Sequence, residues 1–113
     1  MAGPEERLRA ERRRLVAQVE QLTRTFEQVV ESSELDMTAD DEHDPDGSTI
    51  AFERQQVVAL LDSARSALAA VDDALERLAD GTYGRCGRCG GPIGDERLEA
   101  VPGTRMCIAC ARG

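Results

Sequence analysis

The residues in this chain best suited to chemistry are four cysteines. Cys86 pairs with Cys89, and Cys107 with Cys110. Two residues separate the members of each pair, and seventeen separate the pairs. Two intervening residues let a tight turn aim both sulfurs at one ion, and the wider gap lies in the range of four-cysteine zinc sites. Gly87, Gly90 and Gly91 allow the close backbone approach such a knuckle needs. Four thiolates would close the coordination sphere of one Zn2+ per chain and exclude water, so the metal is expected to be structural. A redox dithiol pair or an iron–sulfur centre would use the same residue type. Ile93, Leu98, Val101 and Met106 are the packing side chains expected in this lobe, whose central span is expected to fold as a short hairpin. So small a lobe needs the metal, worth roughly 10–16 kcal/mol in comparable modules.

The rest of the composition points away from catalysis. The chain has 113 residues, 3% of them aromatic, which leaves few bulky groups for a thick, pocketed core. It has no glycine-rich phosphate loop, and its single histidine, His43, is expected to be a solvated loop residue. We therefore expect a non-enzyme. No apolar run approaches the ~20 residues of a membrane span, and residues 1–15 are rich in Arg and Glu, unlike a signal peptide. The expected location is the cytoplasm, without membrane association, where the cysteines stay reduced.

Charge is unevenly distributed. The formal net charge is -8, from 14 Arg, no Lys and 22 acids. Residues 27–53 hold ten acids and no base, whereas residues 1–26 and 81–113 are each net +2. One reading of the central stretch is a solvated acidic loop. Another is an acidic probe aimed at a cation or a basic channel. Direct nucleic-acid binding is not expected. The chain is acidic, stacking groups are nearly absent, and a zinc tetrathiolate carries a formal -2 that offsets the basic excess of residues 81–113.

Two helical stripes flank the acidic stretch. Leu15, Val19, Leu22, Phe26 and Val29 recur at spacings of 4 and 3, with Leu8 one heptad before and Arg12 at the intervening core-type position. Val57, Leu61, Ala64, Leu68, Val71, Leu75 and Leu78 repeat the pattern, with Ile50 one heptad before. Neither stripe is wide enough to fold alone, so each needs a partner. An antiparallel hairpin joined through the Asp44-Pro45-Asp46-Gly47 turn signal supplies it, with Ser48 or Thr49 capping the second helix. About 30 residues per helix give a length of about 45 Å. Pairing between two copies of the chain is the alternative, and a monomer is preferred. The expected fold is mainly α: an antiparallel two-helix coiled-coil hairpin over residues 1–80, with an acidic tip loop around 34–48, then a C4-type zinc finger over residues 81–113, entered through Gly81 as a left-handed helix cap.

The run Asp80-Gly81-Thr82-Tyr83-Gly84-Arg85-Cys86-Gly87-Arg88-Cys89-Gly90, followed by Ile93, Arg97-Leu98-Glu99-Ala100-Val101-Pro102 and Cys107-Ile108-Ala109-Cys110, resembles the TraR/DksA family of bacterial transcription regulators. The hairpin pattern upstream extends the likeness over nearly the whole chain. The resemblance implies a zinc finger at the hairpin base and binding to RNA polymerase rather than DNA. It also implies insertion of an acidic tip into the polymerase secondary channel to modulate initiation, with ppGpp as a co-regulator. The family's Asp-x-x-Asp-x-Ala tip motif aligns with Asp44 and places Gly47 at the second Asp and Thr49 at the Ala, with Asp46 one residue earlier. Asp44 and Asp46 are therefore the tip candidates, with Asp40, Asp41 and Glu42 as electrostatic support. Two other readings use the same features: a coiled-coil and zinc-finger adaptor for other proteins, or a redox- or metal-sensing switch.

Overall fold

Long charged segments, the second of them alanine-rich, with no Pro or Gly over residues 5–38 and 48–80, favour continuous helix, and that is the dominant structure. The computed structural model describes residues 3–38 and 45–113, with side chains described outside 33–48. Four helices follow in order: α1 Pro4–Thr38, α2 Pro45–Asp80, α3 Asp95–Ala100 and α4 Ile108–Ala111. At 35 and 36 residues, α1 and α2 each extend about 53 Å along their axes, longer than the sequence reading allowed. Among the described residues no helix is long and apolar enough to cross a membrane.

Both long helices open on proline. At a first helical position the missing N–H is no loss and the fixed φ is already suitable. Pro4 does this for α1, followed by Glu5 and Glu6 against the positive end of the helix dipole. Pro45 does it for α2. The helices therefore enter the expected 34–48 loop from both sides, and residues 39–44 lie outside the described residues. The expected cap at Ser48 or Thr49 is corrected: both residues sit inside α2. A proline after Asp can begin a helix as readily as it begins a turn.

The chain forms two compact units, Met1–Leu15 with Ser66–Gly113, and Val16–Arg65. In the first, Leu8 and Leu15 of α1 pack with Val71 and Ala74 of α2, flanked by Leu68, Leu75, Leu78 and Tyr83. The start of α1 thus lies against the end of α2, which makes the pairing antiparallel and intramolecular. Arg12, at a core-type position, does not enter this core. Its long stem carries the guanidinium out to the edge, where Nε meets Asp72 Oδ1 across the hairpin at 2.6 Å. Ala74 is fully buried although the spacing favoured its neighbour Leu75. A methyl group allows close helix approach where Leu8 must be covered.

The second unit holds the remaining lengths of both long helices. Val57, Leu61 and Ala64 of α2 are buried, and Val19, Leu22, Phe26 and Val29 of α1 are half-buried. The heptad stripe therefore continues as read. Phe52 and Leu60, off that stripe, are exposed.

Leu8 has 0% of its surface exposed and Phe52 has 67%. Leu8→Ala should lower unfolding free energy by about 2–5 kcal/mol, whereas Phe52→Ala should change it by about 0.5 kcal/mol or less. Thermal or chemical denaturation followed by circular dichroism compares them.

Candidate metal centre

The path to the cysteines begins with the end of α2. Gly81 adopts φ 84. This lets the Thr82 N–H reach Arg77 O at 2.9 Å and the Gly81 N–H reach Leu78 O at 3.4 Å. The paired bonds form a Schellman closure, as expected at this glycine. The chain then turns through Tyr83, which packs against both the hairpin core and the finger core.

The first knuckle is a small antiparallel turn. Arg85 bridges Pro92, the Cys86 N–H donates to Gly91 O at 2.7 Å, and the Gly90 N–H donates to Cys86 O at 2.9 Å. Gly90 takes φ 75, which a residue with a Cβ adopts only under strain. The second knuckle is the start of α4, where the Ala111 N–H donates to Cys107 O at 3.0 Å. One backbone bond joins the knuckles, from the Gly87 N–H to Arg105 O at 2.8 Å.

The span between the cysteine pairs differs from the expected hairpin: it contains α3. Asp95 and Glu96 occupy its first turn, complementing the dipole. Of the four expected packing side chains, Ile93 and Leu98 are buried with Cys86. Val101, just past the end of α3, and Met106 are exposed.

The Sγ atoms of Cys86, Cys89, Cys107 and Cys110 all lie within 4.8 Å of one another, and those of Cys89 and Cys107 are 3.9 Å apart. A tetrahedron with Zn–S bonds of about 2.3 Å has edges of about 3.8 Å, so the ion fits with small inward movements. These four residues would hold Zn2+ as a closed structural site, with no ligand position left for substrate. Backbone N–H groups of Cys89 and Cys107 directed at Cys86 lower its thiol pKa to about 6. Hydrogen bonding to the sulfurs of Cys107 and Cys86 pushes Cys110 up to about 12. Zn2+ supplies the positive charge that lets all four sulfurs exist as thiolates together, so binding releases protons and strengthens as pH rises.

The finger is also fastened to α2. Arg105 donates from Nε to Asp73 Oδ2 at 2.7 Å and from its terminal nitrogen to Oδ1 at 2.5 Å. Arg77 donates to Asp73 Oδ2 at 3.0 Å, and its other nitrogens face the carbonyls of Gly103 and Thr104 at 3.4 and 3.5 Å. Hydrogen bonding, first from Arg105, holds the Asp73 carboxyl at about 2, below its ordinary 3.8. With the folded value below the unfolded one, its stabilising contribution is complete above about pH 4 and lost as pH falls through about 2. Gly103 rests directly on α2: a Cβ there would lie 2.9 Å from Ala70 Cβ and 3.0 Å from its carbonyl carbon. Sequence reading missed Asp73, Arg77, Gly103 and Arg105 as a group. Asp73 and Arg77 look like an ordinary i,i+4 helix pair, and nothing local points to a partner 32 residues away.

The predicted tip residues Asp40, Asp41, Glu42 and Asp44, and also His43, lie outside the described residues. Asp46 falls in the first turn of α2.

A helical hairpin carrying a four-cysteine zinc finger at its base defines the class. Residues 81–113 match the prokaryotic dksA/traR C4-type zinc finger. The solved structure of transcription factor DksA2 from Pseudomonas aeruginosa is 31% identical, with a TM-score of 0.56, over 93% of this chain and 80% of that one. The chain belongs to the DksA/TraR family. It is 45% identical over 47 residues to the RNA polymerase-binding transcription factor DksA of Caulobacter vibrioides (strain NA1000 / CB15N), covering 42% of this chain and 33% of that protein. It is 40% identical over 68 residues to general stress protein 16O of Bacillus subtilis (strain 168), covering 60% of this chain and 42% of that protein. The chain thus aligns with less than half the length of these curated relatives.

Cys86→Ser should reduce bound zinc and unfold the finger, as read by metal analysis and amide spectra. Gly103→Ala should destabilise the chain by about 1–3 kcal/mol, because the added methyl meets helix backbone that cannot yield. At saturating zinc it should still bind one ion per chain, so its lowered melting temperature separates docking from ligation.

Proposed function

We propose that this protein is a non-enzymatic transcription regulator that binds RNA polymerase and inserts the acidic connection between α1 and α2 into the secondary channel. The observation that carries the reading is the match to DksA2 across both the hairpin and the finger. The charge pattern supports it independently. The ten acids of residues 27–53 bracket the connection between the two long helices, with no Arg or Lys among them. A channel lined with basic groups and containing catalytic cations attracts such a segment electrostatically, and the attraction speeds encounter and weakens with salt. Asp44 and Asp46 are the modulating carboxylates, with Asp40, Asp41 and Glu42 adding to the field. The finger is a rigid foot that presents the hairpin. Any response to ppGpp belongs to the complex with polymerase.

The test uses the full chain and purified core polymerase. Wild type should bind and change the yield of transcripts in vitro. Asp44→Asn with Asp46→Asn should preserve the helical spectrum and polymerase binding but abolish the transcription effect, with and without ppGpp. An undiminished effect removes the probe role from these carboxylates. Failure of the wild type to bind polymerase would favour the adaptor reading.

A further inference from the structure

The residue that joins the two knuckles also grips α2. Arg105 lies two positions before Cys107, and its carbonyl accepts the bond from Gly87, which sits between Cys86 and Cys89. Its side chain makes a two-pronged contact with Asp73. Thr104 stiffens the segment through Oγ1, which donates to Met106 O at 3.0 Å and faces the Met106 N–H at 3.2 Å. Asp73 in turn follows Asp72, the partner of Arg12 on α1. A short chain of contacts therefore runs from the metal ligands to both helices of the hairpin base.

We propose that the Asp73–Arg105 pair couples zinc binding to docking of the finger on α2, so that the ion's occupancy sets the stability of the hairpin base. Two physical requirements make this coupling specific. The guanidinium meets Asp73 in register only when residues 103–107 hold their path, and that path is set at one end by Cys107 and at the middle by the bond to Gly87. The carboxylate is in turn held by Arg77, whose side chain is only 12% exposed, so it offers Arg105 a pre-oriented fork. An isolated surface pair contributes little. Here one carboxylate serves two guanidiniums, and Gly103 allows the backbone beside them to touch Ala70. Linkage is reciprocal: if zinc strengthens docking, docking strengthens zinc binding by the same factor. This inference does not depend on the polymerase reading.

Competition of the full chain against a chromogenic zinc chelator at neutral pH tests it, using wild type, Asp73→Asn, Arg105→Gln and the double variant. Neither substituted side chain touches the metal. Each single variant should weaken zinc binding about three- to fivefold, and the double variant should lose no more than either single. Unchanged affinity in the singles, or losses that multiply in the double, would overturn the proposal. Amide hydrogen exchange of residues 66–80 gives an independent readout. Zinc removal should accelerate it in wild type and accelerate it less in Asp73→Asn. Exchange in wild type that is indifferent to zinc would also overturn the coupling. Should Asp73→Asn fail to fold, Arg105→Lys against Arg105→Gln carries the test, since the retained cation should recover part of the affinity.

Discussion

Four sulfurs crowded within 4.8 Å are the constraint on which the C-terminal lobe depends. As thiolates they repel one another, and as thiols they compete for few hydrogen-bond partners, so the arrangement has a physical reason only around a cation. The lobe has little else to hold it. Its buried core is Cys86, Ile93 and Leu98, three side chains against the ordering entropy of more than thirty residues. The two knuckles come from different kinds of element, a small turn and the start of a short helix. Within the lobe, Gly87 N–H to Arg105 O is the backbone bond that links them. Zinc replaces the missing core, and its four ligands leave it no room to do chemistry on anything else.

The hairpin solves a similar problem by other means. A heptad stripe is narrow, and an isolated helix of this composition would be marginal in water. Paired, the two stripes cover each other, and Arg12 meets Asp72 across the edge of the seam. The finger then adds cover where the seam ends. Tyr83 belongs to both apolar clusters, and the Tyr83 hydroxyl donates to Pro102 O at 3.4 Å. The base of the hairpin and the finger are for this reason one compact unit, although their sequences differ sharply in composition.

Charge has a different task in each region. At the finger, Arg105 and Arg77 converge on Asp73 and help position backbone. Around the connection of the long helices, acids accumulate, with ten of them and no Arg or Lys between residues 27 and 53. Like charges packed into one stretch repel, and an electropositive partner relieves that repulsion, which is the physical argument behind the proposed role of this segment.

Several features were legible in the residues alone because they depend on local spacing. Paired cysteines two residues apart aim sulfurs by turn geometry, Gly81 marks a helix end by its freedom at positive φ, and the 3–4 spacing from Leu15 to Phe26 declares the face that is turned inward, buried at Leu15 and half-buried beyond it. The family resemblance could be read from the run around Cys86 and Cys89 for the same reason. What local spacing could not convey was decided by contacts between distant segments. Pro45 reads equally as turn or helix start, and the tertiary structure takes the helix. Ala74 is a core residue only because Leu8 and Leu15 of the distant α1 join its cluster, and Val101 and Met106 lie outside the buried cluster of the finger. Gly103 needs to be glycine only because Ala70 lies beneath it, and Asp73 becomes an anchor only because the fold of the finger brings Arg105 to it across 32 positions of chain. Spacing determines which faces and ligands a segment can offer, and packing decides which of them meet.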